Sequence, residues 1–352
     1  MIDWTKSMTQ SFEYFIVDPI TWKDMKKIDT IKSSTINRDA DLETLGSASI
    51  EIDGPIEECY IRIYMTVIQN GVNYKLPLGT YLIQPPSTSF DGKKSTLSAD
   101  AYTPLIELKE NQPPIGYYIA ESTNIMERVY ALTSENCRAP TIQPIDETVM
   151  DVDFVAGIDE SWLAYLKAAM ENAKFKYDID ELGNIAFAPN QEVESMQPRW
   201  TYTDDNSSIL YPSITVNHDI YTVPNVVEVV YSGDHCYHGK AINNDPNSPV
   251  STYNRGRMLT YRVTDPSLAG EITEERVQEY AKELLEALSS VEYTISYTHG
   301  YCPVRVGDCV RISYKRAGLE NVKAKVIRQS IECKPGCKVT ETAAFTAKLW
   351  EG

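Results

Sequence analysis

The sequence predicts an α+β protein that is mainly β, on three observations. Long regions towards both ends alternate apolar and polar residues with the two-residue period of half-buried strands. Between them the apolar spacing changes to that of amphipathic helices, which marks a small α/β insert. Tyrosine leads the aromatics, 23 against 7 Phe and 5 Trp, and suits half-buried β surfaces and wet interfaces better than one large dry core. At 352 residues the chain has material for two or three domains with real cores.

From Phe12 to about Leu108 the pattern is β. FEYFIVD and SASIEID alternate, and CYIRIYMTVIQNGVNYKLPLGTYLI reads as a hairpin turning at Asn70-Gly71, a pair that supplies the positive φ angles of a tight primed turn. A second turn at Asp91-Gly92 separates PSTSF from KSTLSADAY. The region should supply roughly six short strands, which suits a closed barrel or a sandwich.

After the Pro-rich break NQPPIG, Ser122 can cap a helix with Ile125, Met126, Val129 and Leu132 on one face. A second helix, capped by Asp159 or Ser161, carries the stripe Trp162, Leu163, Leu166, Met170 and Ala173. FKYDIDELGNIAFAP then folds as a hairpin at Gly183-Asn184.

Strands resume with SITVNHD and VVEVVYS on either side of TVPN. Residues 241–256, AINNDPNSPVSTYNRG, are rich in Asn, Pro and Ser and read as a mobile surface loop, with ordering against a partner as the alternative. After MLTYRVTD, a helix near 272–289 is capped by Thr273, with Glu274 and Glu275 at the positive end of its dipole. Its stripe of Val277, Tyr280, Ala281, Leu284 and Leu288 should cover a sheet. Gly307-Asp308 within VRVGDCV should form a turn that lets Val304, Val306, Val310 and Ile312 fill an interior.

Lys and Arg total 33 against 50 Asp and Glu, a net charge of −17, which opposes a protein that grips nucleic acid by neutralising phosphates. The imbalance is local: residues 107–199 hold 17 acidic and 7 basic side chains, whereas residues 301–338 hold 9 basic and 3 acidic. Such stretches are solvated faces of separate domains, or patches that dock between subunits or line a passage to which DNA must not stick. No segment has the basic-then-apolar pattern of a leader, and no apolar run approaches the ~20 residues of a membrane span, so folding in a cytoplasm away from membranes is expected. Seven cysteines, an odd number, fit reduced thiols better than a disulfide framework.

Candidate chemistry is sparse. Asp234, His235, Cys236 and His238 crowd one turn and Cys333 and Cys337 another. Zinc sites pair ligands at short spacing with a matching second pair, whereas neighbouring side chains in HCYH diverge, so ordinary turn residues are expected. Glu57-Glu58, Asp146-Glu147, Asp151 with Asp153, and Asp204-Asp205 could serve a glycosidase only if two of them faced each other across a cleft, and solvent-facing pairs are the expectation. G-x-S-x-G, G-x-G-x-x-G and P-loop runs are absent, and His218, His235, His238 and His299 sit in no catalytic motif. No catalytic, cofactor-binding or metal-binding residue is therefore assigned, and no enzyme activity or cofactor is expected.

The order of parts, with TVPNVVEVVY, the helix ITEERVQEYAKELLEAL, VRVGDCVRISY and VKAKVIRQSIECKP, resembles the baseplate hub family of tailed bacteriophages, related to hub portions of contractile injection and type VI spike proteins. The resemblance covers nearly the whole chain and rests on framework motifs, so it assigns no binding residue. It implies two barrel-like, tail-tube-type β domains, residues 1–108 and 204–352, with a small α/β domain at 109–203 between them. It further implies a homotrimeric ring at the virion tail tip or baseplate, assembled in the host cytoplasm. The ring would meet tail tube, spike, other baseplate and tape-measure proteins, pass DNA without sequence-specific binding and act in host cell penetration. The chain ends at AAFTAKLWEG without a lysozyme or peptidase module, so wall cleavage is expected of a separate protein. Two rival readings are a tail-tip wall hydrolase using a carboxylate pair, and a carbohydrate or receptor binder stacking sugars on Trp4, Trp22, Trp200 or Trp350.

Overall fold

Strands take 46% of the residues and helices 16% in a computed structural model of the chain, so the α+β, mainly β class read from alternation is the class observed. The structure describes residues 2–84, 87–90, 95–232, 235–268 and 272–350; the expected Asp91-Gly92 turn and Asp234 lie outside them. The chain forms two compact units, residues 1–213 with 297–342, and residues 214–296 with 343–352.

In the first unit the described residues of the N-terminal β region make eight strands where roughly six were expected, because the polar stretches 24–28 and 31–39 also pair. Asn70 and Gly71 take φ 51° and 76°, and Gln69 pairs with Val72 across them, so the hairpin Cys59–Gln69 to Val72–Ile83 turns where expected. One sheet runs Leu319–Cys333, Ile31–Asp39, Gly46–Ile52, Ser95–Tyr102, Val72–Ile83, Cys59–Gln69, Thr9–Val17, Asp24–Ile28. Chain segments nearly three hundred residues apart thus become neighbours, with Arg328 opposite Asp39 and Cys333 opposite Ser34. The edge strand DMKKI is mostly exposed, and its lysines discourage another strand from adding there. Ile36, Ile50, Ile61, Ile63, Met65, Leu78 and Ile331 make the core of this sheet.

A second core of the same unit is built on the helices Ile125–Asn136 and Trp162–Asn172. The expected apolar faces are the buried ones, Ile125, Met126, Val129 and Leu132 on the first helix and Trp162, Leu163, Leu166 and Met170 on the second. Ser161 is the second cap, accepting from the Ala164 amide at 3.2 Å. The first cap is Asn124, which accepts from the Glu127 amide at 2.8 Å, and Ser122 lies before it at φ 62°. The Ile125 amide bonds the Thr148 carbonyl, and this chain crossing starts the helix two residues later than expected. Gly307 turns at φ 95° as expected; Val304, Val310 and Ile312 are buried, whereas Val306 is half-buried.

The second unit has a sheet with Val226–Ser232 in the middle, Cys236–Ile242 antiparallel on one side and Thr260–Thr264 parallel on the other. The helix Glu274–Leu288, capped by Thr273 as expected, covers it through Val277, Ala281 and Leu285 against Val227, Val229 and Ala241. The buried line is rotated from the expected stripe: Tyr280, Leu284 and Leu288 flank it half-buried. Gly239 explains the rotation, since a Cβ there would lie 2.9 Å from the Gln278 Cα, so only glycine admits the helix so close.

The stretch 241–256, expected as a mobile surface loop, begins at the end of Cys236–Ile242 and carries a network of side-chain hydrogen bonds. Asn225 of TVPN is fully buried; its Nδ2 donates to the Val250 and Arg257 carbonyls at 3.2 and 3.0 Å, and its Oδ1 accepts from the Leu259 amide at 2.7 Å. Asn243 Nδ2 donates to Ser248 Oγ at 2.8 Å, and Ser251 caps a single turn, Thr252–Arg255. The Asn and Ser content that opposes a strand here supplies the hydrogen bonds of the loop itself.

Candidate functional site

Three arginines of the first unit converge on the hairpin Phe175–Ile179 to Ile185–Pro189 and hold it against the sheet. Arg62 is 4% exposed; it donates to Thr80 Oγ1 at 2.9 Å, Asp24 Oδ1 at 2.8 Å and the Leu182 carbonyl at 2.9 Å. Trp22 Nε1 donates to the same carbonyl at 2.8 Å. Glu181 receives Arg38 at 3.4 Å and Arg305 at 3.0 Å, and Arg305 also pairs with Asp178 at 3.2 Å. A guanidinium presents several donors in a fixed plane, which lets one side chain satisfy a turn carbonyl and a carboxylate together.

Arg38 also donates to Gln329 Oε1 at 3.1 Å, which connects this contact to a polar network sealed from solvent. Glu341 and His299 are both 0% exposed, with His299 Nε2 3.2 Å from Glu341 Oε2. Tyr297 and Tyr202 donate to the same oxygen at 2.8 and 3.2 Å, and Gln329 Nε2 donates to Oε1 at 2.6 Å. His299 Nδ1 lies 2.6 Å from the Gly300 carbonyl, which can only accept. With Nδ1 donating there and the Glu341 carboxyl held in its ionised form, Nε2 donates to the carboxylate and the imidazole carries a charge. Burial by itself pushes the His299 pKa down, but hydrogen bonds to Cys302 and Glu341 outweigh it and lift the group to about 10. Burial pushes Glu341 up, and the hydrogen bond and charge of His299 outweigh it, holding the carboxyl below its ordinary value. A charged, fully satisfied pair with no path to solvent is an internal brace.

The network was not read from the sequence, although a signal existed. Alternation along Ser290–Gly300 puts Tyr297 and His299 on the inward face, and Glu341 falls between inward Val339 and Ala343 on Lys338–Lys348. Pairing a buried His with a buried Glu 42 positions away required the strand order.

The other candidates are not brought together as a site. Cys236 is exposed, whereas burial pushes the Cys333 thiol up to about 11 and the Cys337 thiol higher still, away from the thiolate that zinc needs. Among the described residues no three His, Cys, Asp or Glu side chains gather as a metal set. Members of three acidic pairs bond backbone amides: Asp146 and Asp205 accept from the Thr148 and Ser207 amides within turns, and Asp153 accepts from the Glu121 amide of a distant segment. Trp22 is buried against Tyr60, Trp4 packs edge-on to Tyr301 at 5.1 Å, and Trp350 packs on the second unit's core, so these are not free stacking platforms. Trp200 is half-buried in a strand parallel to Cys309–Tyr314. No helix of the described residues is long and apolar enough to cross a membrane.

Exposed apolar side chains concentrate on one stretch of the first unit. Ile115, Ile145, Val152 and Ile158 are 90, 97, 67 and 79% exposed, and Tyr118 and Val155, opposite each other in a two-stranded ladder, are exposed as well. A monomer would gain by covering such side chains, and several on one short stretch are a mark of association.

No known family profile and no curated protein matches the sequence. Solved structures do match. A tail protein from Neisseria meningitidis MC58 superposes with TM-score 0.61 at 11% identity, over 96% of this chain and 96% of that one. The 43 kDa tail protein of prophage MuSo2 from Shewanella oneidensis gives TM-score 0.62 at 10% identity, over 95% and 98%. A chain of the Francisella PdpA–VgrG complex gives 0.55 at 6%, over 96% of this chain and 58% of that one. At such identities the shared property is the fold, and this chain has the fold of phage tail proteins.

Proposed function

We propose that this chain is a structural hub at the tip of a phage tail or a phage-derived contractile particle. The observation that carries the reading is the match of fold along essentially the full length of two tail proteins, 96% and 98% of their chains. Three copies form a ring that continues the tail tube, meets a central spike and other baseplate proteins, and leaves a passage for DNA and the tape-measure protein. Residues 1–108 and 204–352 carry the hub-type β domains of that ring and residues 109–203 the small domain between them. The role is mechanical, without bond cleavage, and assembly takes place in the host cytoplasm before the particle reaches a cell surface.

Two further features support it. A net charge of −17 suits a protein through whose passage DNA moves without being trapped, and the exposed apolar stretch of residues 115–158 supplies surface for subunit or baseplate contacts. Light scattering on the purified chain, alone and with tube and spike proteins, tests the reading. The expected species has three times the 39.7 kDa chain mass, and electron microscopy of tails should locate it at the tip. A chain that stays monomeric with those partners and is missing from assembled tails overturns the proposal.

A further inference from the structure

The first unit contains a cavity of about 350 Å³ between the hairpin at residues 175–189, the turn at 305–308 and the sheet. That volume is in the range of small-ligand sites, roughly 300–1,000 Å³. One part of its wall is apolar, formed by Leu45, Tyr177, Ile179, Ala188, Met196 and Val306. The remainder is ionic, and nearly every ion in it is already engaged. Arg305 is held by Asp178 and Glu181, Arg38 by Glu181 and Gln329, and Asp180 is occupied by the Asn184 amide at 2.8 Å and its Nδ2 at 2.7 Å. Asp308 accepts from the Arg305 amide at 2.9 Å.

Lys176 and Lys325 are the exceptions. The Lys176 ammonium has no ion pair and no hydrogen-bond acceptor among the described residues, and Lys325 Nζ reaches only the Gln191 carbonyl at 3.3 Å. Both line the same cavity, where burial and the charge of Lys325 push the Lys176 pKa down and the nearby Asp178 carboxylate opposes them. Two lysines in one cavity, neither ion-paired and both beside an apolar wall, make an incomplete ion cluster, and an anion held there would offset their charge.

We propose that this cavity binds a small organic anion, a carboxylate or phosphate ester on a short apolar body, with the charge between Lys176 and Lys325 and the body against Tyr177, Ile179 and Val306. The proposal stands apart from the hub reading, because the site lies within one unit of one chain. Titration calorimetry on the full chain with hexanoate, phenyl phosphate, inorganic phosphate and hexan-1-ol tests it. Hexanoate or phenyl phosphate should bind at least tenfold more tightly than inorganic phosphate or hexanol, and the choice between the first two identifies the anion. The double variant Lys176→Met/Lys325→Met should lose at least tenfold of that affinity, while Lys6→Met, on an exposed turn, should retain it. If the double variant fails to fold, the 13C resonance of reductively methylated Lys176 in the unaltered chain replaces it, and should shift on titration with the tighter probe. Absence of binding by both organic anions, equal binding of hexanol, undiminished affinity in a folded double variant, or an unmoved Lys176 resonance overturns the proposal.

Discussion

At the scale of residues, the His299–Glu341 pair sets a pH dependence whose sign follows from its geometry. His299 is raised to about 10 in the folded chain and takes its ordinary value near 6.5 in the unfolded one. The native state therefore binds the extra proton between those values, so the stability contributed is complete below about 6.5 and is lost as pH rises through about 10. Tm should fall from pH 7 to pH 10, and His299→Gln should flatten that fall, which calorimetry at stepped pH would reveal. Glu341 acts at the other end. Its pKa is depressed from 4.5, so its contribution is present above that value and disappears as acid protonates it. Glu341→Gln at neutral pH removes the counter-ion, so burial drives His299 to its neutral form and the network loses its charged pair, which should cost about 3–5 kcal/mol in urea unfolding. A loss under ~1 kcal/mol would mean the pair is not charged.

At the scale of elements, buried polar side chains decide the shape of segments that propensity leaves open. Asn225 replaces backbone pairing for residues 250, 257 and 259, so Asn225→Ala orphans two carbonyls and an amide in a dry site. At ~1–3 kcal/mol for an unsatisfied buried group, partly relieved by water, the cost should be on the order of 3 kcal/mol. Hydrogen exchange should show amides of residues 243–259 losing protection while those of Cys59–Gln69 keep theirs; unchanged protection in the loop would contradict this account. The helix caps illustrate which elements were legible. Thr273 and Ser161 stand directly before an apolar stripe and could be read. The run Ser122, Thr123, Asn124 offered several capping side chains, and the crossing with residues 148–150 selected the last.

At the scale of the whole molecule, charged side chains join parts that the linear pattern separates. Arg62 comes from a strand that reads as apolar and regular, yet its guanidinium spans Asp24, Thr80 and the Leu182 carbonyl. Arg62→Met should destabilise the first unit by about 2–4 kcal/mol, since it leaves buried acceptors unpaired. Arg62→Lys should recover only part, because an ammonium cannot reproduce the planar fork. Limited proteolysis near Leu182 would report release of the hairpin, and cleavage no faster than in the parent chain would show that packing alone holds it. An acidic chain with an exposed apolar stretch is, on the hub reading proposed above, a part whose surface neighbours complete.

By itself the sequence determined the elements and their class. Alternation, Asn70-Gly71, the two amphipathic stripes and the Ser161 and Thr273 caps are local, and local sterics and hydrogen bonding fix them over a few residues. Only the tertiary structure decided that Leu319–Cys333 lies beside Ile31–Asp39, that His299 meets Glu341, that Trp22 is buried, and that Lys176 and Lys325 line one cavity. Each of these joins residues far apart in the chain. Their pairing depends on strand order and on which charges can be satisfied once water is excluded, and neither quantity is carried by spacing along the chain.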